Sequence, residues 1–178
     1  MKNWFFLLPL LTAFLLLNCT QQPAENTEAQ AETPDTVMAL ELANRFFNEV
    51  INQKKVEVLN EILDDSFRNH SFPTPAGSNK AEFIQAFKDL TAAFPDIKVN
   101  VHDQLGEGNR VFSYLTVTGT HKGTFNGLAA TNKEVKFDAM DIWREKNGKL
   151  VENWVVMDML GMMTQIGAVP PPPAPAEQ

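Results

Sequence analysis

The sequence is poor in cysteine. Cys19 stands alone among 178 residues, so no internal disulfide can staple the fold and packing must hold it. Basic residues are also few: 15 Lys and Arg stand against 22 Asp and Glu, giving a formal charge of −7. Affinity for nucleic acid comes from cationic groups. With no basic patch and no aromatic–basic interleaving, nucleic acid is excluded as a partner. The three histidines, His70, His102 and His121, lack metal-ligand spacing, so no metal is expected. No Gly-rich phosphate loop or Gly-x-Ser-x-Gly elbow occurs, and no cofactor is expected either. The apolar run from Trp4 to Leu17 is about fourteen residues long, too short for a membrane span of ~20. No internal repeat is found.

That run has the length of a signal-peptide core, and Lys2 precedes it. It ends in Leu16-Leu17-Asn18-Cys19, which resembles a bacterial lipobox. The resemblance implies a signal peptide over 1–18 and an acyl anchor on Cys19. Each buried methylene of such an anchor contributes about 0.8 kcal/mol to membrane attachment. The expected location is the bacterial cell envelope, and Thr20 in place of an aspartate directs the reading to the outer membrane. Loss of Lys2 takes the formal charge from −7 to about −8. Residues 19–33 lack large apolar side chains and read as a flexible tether. Residues 169–178, with Pro170 to Pro173 and Pro175, read as a solvated polyproline tail. The folded domain is then 34–168.

Within it, helical signals come first. Thr33-Pro34 is a capped helix entry, followed by Leu40, Ala43, Phe47, Val50 and Ile51 on one face. Val56, Leu59, Ile62 and Leu63 mark a short second helix. Ser78 or Asn79 caps a third, whose stripe is Phe83, Ile84, Phe87, Leu90 and Phe94. The period then changes. Ile97–Asp103, Arg110–His121, Glu134–Glu145 and Leu150–Met157 are rich in β-branched and aromatic residues, with turns at Gly106–Asn109 and Asn147-Gly148. This order predicts an α+β fold: a curved antiparallel sheet wrapped around the N-terminal helices, forming a cone-shaped pocket. The predicted core is Phe46, Phe47, Leu59, Phe83, Phe87, Leu115, Val117 and Trp143.

The later half carries a specific pattern. Thr118-Gly119-Thr120-His121-Lys122-Gly123-Thr124-Phe125-Asn126-Gly127 precedes Thr131. Asp141-Ile142-Trp143-Arg144 follows, then Asn147-Gly148-Lys149-Leu150-Val151-Glu152-Asn153-Trp154, and Asp158, Gly161 and Gln165-Ile166-Gly167 close the series. This resembles the SnoaL-like polyketide cyclases and ester cyclases of the nuclear transport factor 2-like superfamily. The resemblance implies a pocket for a small apolar carbonyl or ester compound, and ring closure by acid/base chemistry without metal or cofactor. It also implies a homodimer with sheets paired back to back. The catalytic aspartate of the cyclases falls at Val155, and a histidine they use nearby falls at Asp141.

Asp141 is therefore the leading acid/base candidate. It alternates with Phe137, Ala139 and Trp143, and such neighbours desolvate a carboxylate and raise its pKa. The resemblance puts a pocket residue at His70. Asp158 reads as a second pocket acid or as a helix cap for Met159–Gln165. The candidate ligand wall is Phe137, Trp143, Asn153, Val155 and Met157. His121 either joins that wall or serves the loop after it. The hairpin register decides which residues meet. A two-residue turn puts Asp141 opposite Trp154. A three-residue loop puts it opposite Asn153 and turns Val155 and Met157 to the same face, and is the preferred register. Two functions stay open: an enzyme using Asp141, and a non-catalytic ligand-binding or dimerisation module.

Overall fold

The first helix starts where the sequence provides a cap. In a computed structural model, which describes residues 33–71 and 78–170, the Thr33 hydroxyl accepts from the Thr36 amide. Pro34 takes the first helical position. Helix α1 (Pro34–Arg45) continues as a π-helical stretch over Phe46–Asn52, in which Phe46, Phe47 and Val50 are all buried. A 3₁₀ turn (Val56–Val58) leads into α2 (Leu59–Ile62). Leu63 does not belong to that helix, as its spacing had suggested; it opens strand β1 (Leu63–Asn69). The side chain of Asn79 caps helix α3 (Lys80–Ala93) by accepting from the Glu82 amide. The leader, nearly all of the tether and the tail beyond 170 lie outside the described residues.

Strands β2 (Lys98–Glu107), β3 (Arg110–Thr120), β4 (Glu134–Lys146) and β5 (Lys149–Met157) follow, and helix α4 (Met159–Ile166) ends the fold. The sheet order is β1-β5-β4-β3-β2, curved but not closed. Its four later strands form the antiparallel meander read from the sequence. β1 runs parallel to β5, so the sheet is mixed, not wholly antiparallel. The strand was hidden because its middle residues, Asp65, Ser66 and Arg68, face solvent. Only Leu63, Phe67 and Asn69 turn inward and are buried.

The β4–β5 hairpin corrects both sequence registers. Asn147 (φ 55°) and Gly148 (φ 74°) form a two-residue left-handed turn, with Lys146 opposite Lys149. A bulge at Val151 then shifts the pairing, so that Arg144 faces Glu152, Trp143 faces Asn153 and Asp141 faces Val155. One extra residue reverses which side chains share a face. Asp141, Asn153, Val155 and Met157 consequently share the inner face, as the preferred register required, although the turn and the pairing differ from it.

The helices cover that inner face. Phe46 lies 4.6 Å from Trp143, 5.2 Å from Phe87 and 5.4 Å from Phe47, ring centre to ring centre. Phe83 and Phe67 extend the aromatic cluster. Phe87 and Val117, expected in the core, lie half-buried at its margin. A second cluster joins Ala93, Phe94, Ile97 and Val135 to Met162 and Ile166 of α4. Phe46→Ala should cost about 3–5 kcal/mol, because it removes a ring from the centre of this packing. Asn79→Ala should cost about 1 kcal/mol through the lost cap. Urea unfolding of the two variants checks both magnitudes.

Candidate active site

Strand alternation on β4 sends Phe137, Ala139, Asp141 and Trp143 inward. Trp143 is 1% exposed and lies among Phe46, Phe67 and Phe83. A buried indole N–H needs an acceptor, and Trp143 Nε1 donates to Asp141 Oδ2 at 2.9 Å. Asp141 is itself 5% exposed. Burial pushes its pKa up to about 7, partly offset by Trp143 and by Ser113, its neighbour across the β3–β4 pair. Oδ1 makes no second hydrogen bond of good geometry, but the Ser113 hydroxyl lies close enough to hold the carboxyl's pKa down. Burial thus brings the proton exchange of this carboxyl from the acid range toward neutral pH.

Other polar groups line up with this carboxylate across the sheet. On β3, Ser113 is buried, and its Oγ accepts from Gln104 Nε2 at 3.3 Å. On β5, Asn153 faces Trp143 and donates to the Ile142 carbonyl at 3.2 Å. On β1, Asn69 pairs with Asn153; its Oδ1 accepts from the Ser71 amide at 3.1 Å. Its Nδ2 is buried without a partner. The Ser71 hydroxyl in turn accepts from the Val155 amide, fastening the end of β1 to β5. Sequence reasoning missed Asn69 and Ser113. Asn69 had one available signal, its two-residue spacing from Phe67.

The expected cone is filled at its Trp143 end by aromatic rings. Beyond Asp141 the inner face is half-exposed, at Phe137, Val155 and Met157. Two open depressions, of about 500 and 390 Å³, lie elsewhere on the surface. The larger is lined by Asp96, Glu134, Lys136 and Gln165, and neither is lined by Asp141.

Three other candidates are placed away from Asp141. His70 stands outside the sheet, stacked on Trp154 at 4.5 Å, with Nε2 3.0 Å from Glu152. It follows inward-facing Asn69 on the chain, and alternation turns it out. Asp158 caps α4, its Oδ1 accepting from the Gly161 amide at 2.8 Å, and is exposed. His121 is fully buried in the other cluster, against Phe94, with Nδ1 3.0 Å from Thr131 Oγ1. It holds the 121–133 loop and does not reach the Asp141 wall. Phe137, Trp143, Asn153, Val155 and Met157 do share the face of Asp141. Among the described residues no three His, Cys, Asp or Glu side chains are grouped to hold a metal ion.

The family profile of the SnoaL-like polyketide cyclases matches residues 41–166, which span α1 to α4. The chain belongs to the SnoaL-like polyketide cyclase family. A protein from Jannaschia sp. CCS1, proposed to be a SnoaL-like polyketide cyclase, shares 24% identity. The match covers 79% of this chain and 99% of that one, with a TM-score of 0.72. A proposed polyketide cyclase from Bacillus cereus ATCC 10987 shares 26% identity, over 74% of this chain and 82% of its own, with a TM-score of 0.64. AclR of Streptomyces galilaeus, a proposed hydroxylase, shares 24% identity over 80% and 87%, with a TM-score of 0.66. These likenesses establish the fold. No curated protein matches the chain. In this SnoaL-like chain Val155 stands where the resemblance places the cyclase aspartate, and Asp141 lies directly opposite it.

Burial of Asp141 also links stability to pH. Its folded pKa of about 7 lies above the ordinary 3.8, so the protonated form is the one the fold favours. The associated stability is complete below pH ~4 and is lost as pH rises through ~7. The shift corresponds to at most roughly 4 kcal/mol. Asp141→Asn, which stays neutral, should therefore melt higher than the wild type at pH 8.5 and close to it at pH 4. Thermal melts at the two pH values read the difference.

Proposed function

We propose that the domain binds a small apolar carbonyl or ester compound and transfers a proton on it through Asp141, without metal or cofactor. The observation that carries this reading is the Asp141 carboxyl itself: buried, held by Trp143 through one oxygen, with the Ser113 hydroxyl beside it, and with a pKa of about 7. A carboxyl poised near the working pH serves as base in one step and acid in the next. Val155 cannot move a proton. Because Asp141 faces it across the β4–β5 pair, the acid/base group comes to the same part of the inner face from the neighbouring strand. Phe137, Val155 and Met157 supply an apolar approach that favours an uncharged substrate.

The test begins with native mass spectrometry of the purified full chain, which should detect a retained small molecule. With that compound as substrate, Asp141→Asn should bind within a few-fold of the wild type and lose at least ~100-fold in turnover. The wild-type rate should titrate with one pKa near 7. Turnover unchanged in Asp141→Asn, with Trp143→Ala weakening binding alone, would favour a pure binding module.

The proposal includes the envelope setting, with Cys19 lipidated and the domain tethered at a membrane surface, and a homodimer through the outer sheet face. Met140 (49% exposed), Ile142 and Val156 (77% exposed) form an apolar strip there, beside half-buried Tyr114 and Trp154. Exposed apolar patches of this kind mark interaction surfaces. Cys19→Ser should move the chain from the membrane to the soluble fraction. In sedimentation of that soluble form, adding Val156→Glu should convert dimer to monomer; a monomer before that change removes the dimer from the proposal.

A further inference from the structure

Across β2, β3 and β4 the inward rows of side chains are apolar, with one exception. Val99, Val117 and Phe137 stand side by side, and so do Val101, Leu115 and Ala139. The next row is Gln104, Ser113 and Asp141, and Gly106, Val111 and Trp143 follow it. Simple alternation from Val99 and Val101 would turn Asp103 inward and Gln104 outward. A bulge at His102 adds one residue to β2. Asp103 then pairs with Tyr114, and Gln104 pairs with Ser113. The irregularity brings a polar side chain into the row of the buried carboxyl.

Hydrogen-bonding capacity gives this row a direction. Ser113 is wholly buried, and its Oγ accepts from Gln104 Nε2 at 3.3 Å. A serine has one hydroxyl proton and two lone pairs. With Gln104 on a lone pair, the proton remains to be given. Asp141 stands directly across the β3–β4 pair, where opposed Cβ atoms lie about 5 Å apart. The Ser113 hydroxyl and the Trp143 indole both favour the ionised carboxylate, against burial. Among the described residues no charged side chain contributes to that balance. Val155 faces Asp141 from β5, and Ala139 and Trp143 flank it on β4. Glu145, the other buried acid of β4, is four residues along and accepts from the Gly148 amide. On α1, Asp35 and Glu41 are exposed, and Arg45 is engaged by Glu49 and Glu61. On α3, Lys80 pairs with Asp65, Glu82 accepts from the Ser78 amide, and Lys88 and Asp89 are exposed.

We propose that Gln104 is a positioning residue of the Asp141 site: its amide holds the Ser113 oxygen and thereby commits the Ser113 proton to the carboxylate. The inference rests on the reading of Asp141 as a proton-transfer group and adds a control on its resting state. With the row intact, a larger fraction of the carboxyls is ionised at neutral pH and ready to accept a proton. Gln104 exerts this control from a half-buried position on the edge strand of the sheet, without touching the carboxylate.

Titration of Asp141 with no substrate present tests the proposal. Its side-chain carboxyl carbon is followed by 13C NMR from pH ~4 to ~9 in the full chain, and the signal is assigned by its loss in Asp141→Asn. Ser113→Ala should lower the acid dissociation constant of Asp141 by about tenfold. Gln104→Leu should lower it by about threefold, and should add nothing in the Ser113→Ala background. A role in packing alone would persist in that background. In 15N-glutamine-labelled wild type, the Gln104 side-chain amide signal should move with the Asp141 midpoint, a readout that needs no variant. The role of Gln104 alone is overturned if Gln104→Leu leaves the midpoint in place or lowers it, if its effect survives without Ser113, or if the amide signal ignores the titration. A wild-type midpoint in the ordinary carboxylate range overturns the reading of Asp141 and this inference with it.

Discussion

A tryptophan can occupy the centre of an aromatic core only if its N–H finds an acceptor there. Trp143 is such a residue, with Phe46, Phe67 and Phe83 around its ring and Asp141 two residues away on the same face. The hydrogen bond draws a carboxylate into surroundings where its charge is poorly solvated. One oxygen accepts from the indole, and the Ser113 hydroxyl lies beside the carboxyl. The packing of the fold and the chemistry of the site thus depend on the same contact. Removing the carboxylate strands the indole, and removing the indole takes away the group that orients the carboxylate.

The sheet then sets what surrounds that contact. A single bulged residue, Val151, keeps Asn153, Val155 and Met157 on the face of Asp141. The parallel addition of β1 carries Asn69 to the same face and leaves His70 outside, stacked on Trp154 beside Glu152. The polar groups on the inside are few and mostly paired. The outside carries a charged and aromatic cluster, in which Arg144 lies over the Trp154 ring, next to an apolar strip. The two faces of one sheet therefore differ in kind: a buried carboxyl among aromatic rings within and an exposed apolar strip without.

Family membership sets the fold of this chain but not the residues of its candidate site. Where the resemblance places an aspartate, the chain has Val155; where it places a histidine, the chain has Asp141. Directly paired positions on adjacent strands lie about 5 Å apart, so a proton-transfer group can change strands and still serve the same region of a pocket. The neighbouring strand brings its own electrostatics. Here the carboxylate has an indole donor on one side and a buried serine on the other, in a setting that raises its pKa.

Local patterns in the sequence determined a good deal. The Thr33-Pro34 entry, the Asn79 cap, the four antiparallel strands, the aromatic core and the burial of Asp141 follow from capping chemistry and from two- and 3.6-residue periodicity, which act over a few neighbouring residues. Non-local pairing decided the rest. β1 is a strand only because β5 accepts it, and its solvent-facing Asp65, Ser66 and Arg68 gave no apolar signal of their own. The bulge at Val151, the outward turn of His70 and the alignment of Asn69 with Asn153 depend on register, a relation between strands distant in sequence. Periodicity tells which residues share a face of one strand; only the assembled sheet tells which residues of different strands meet.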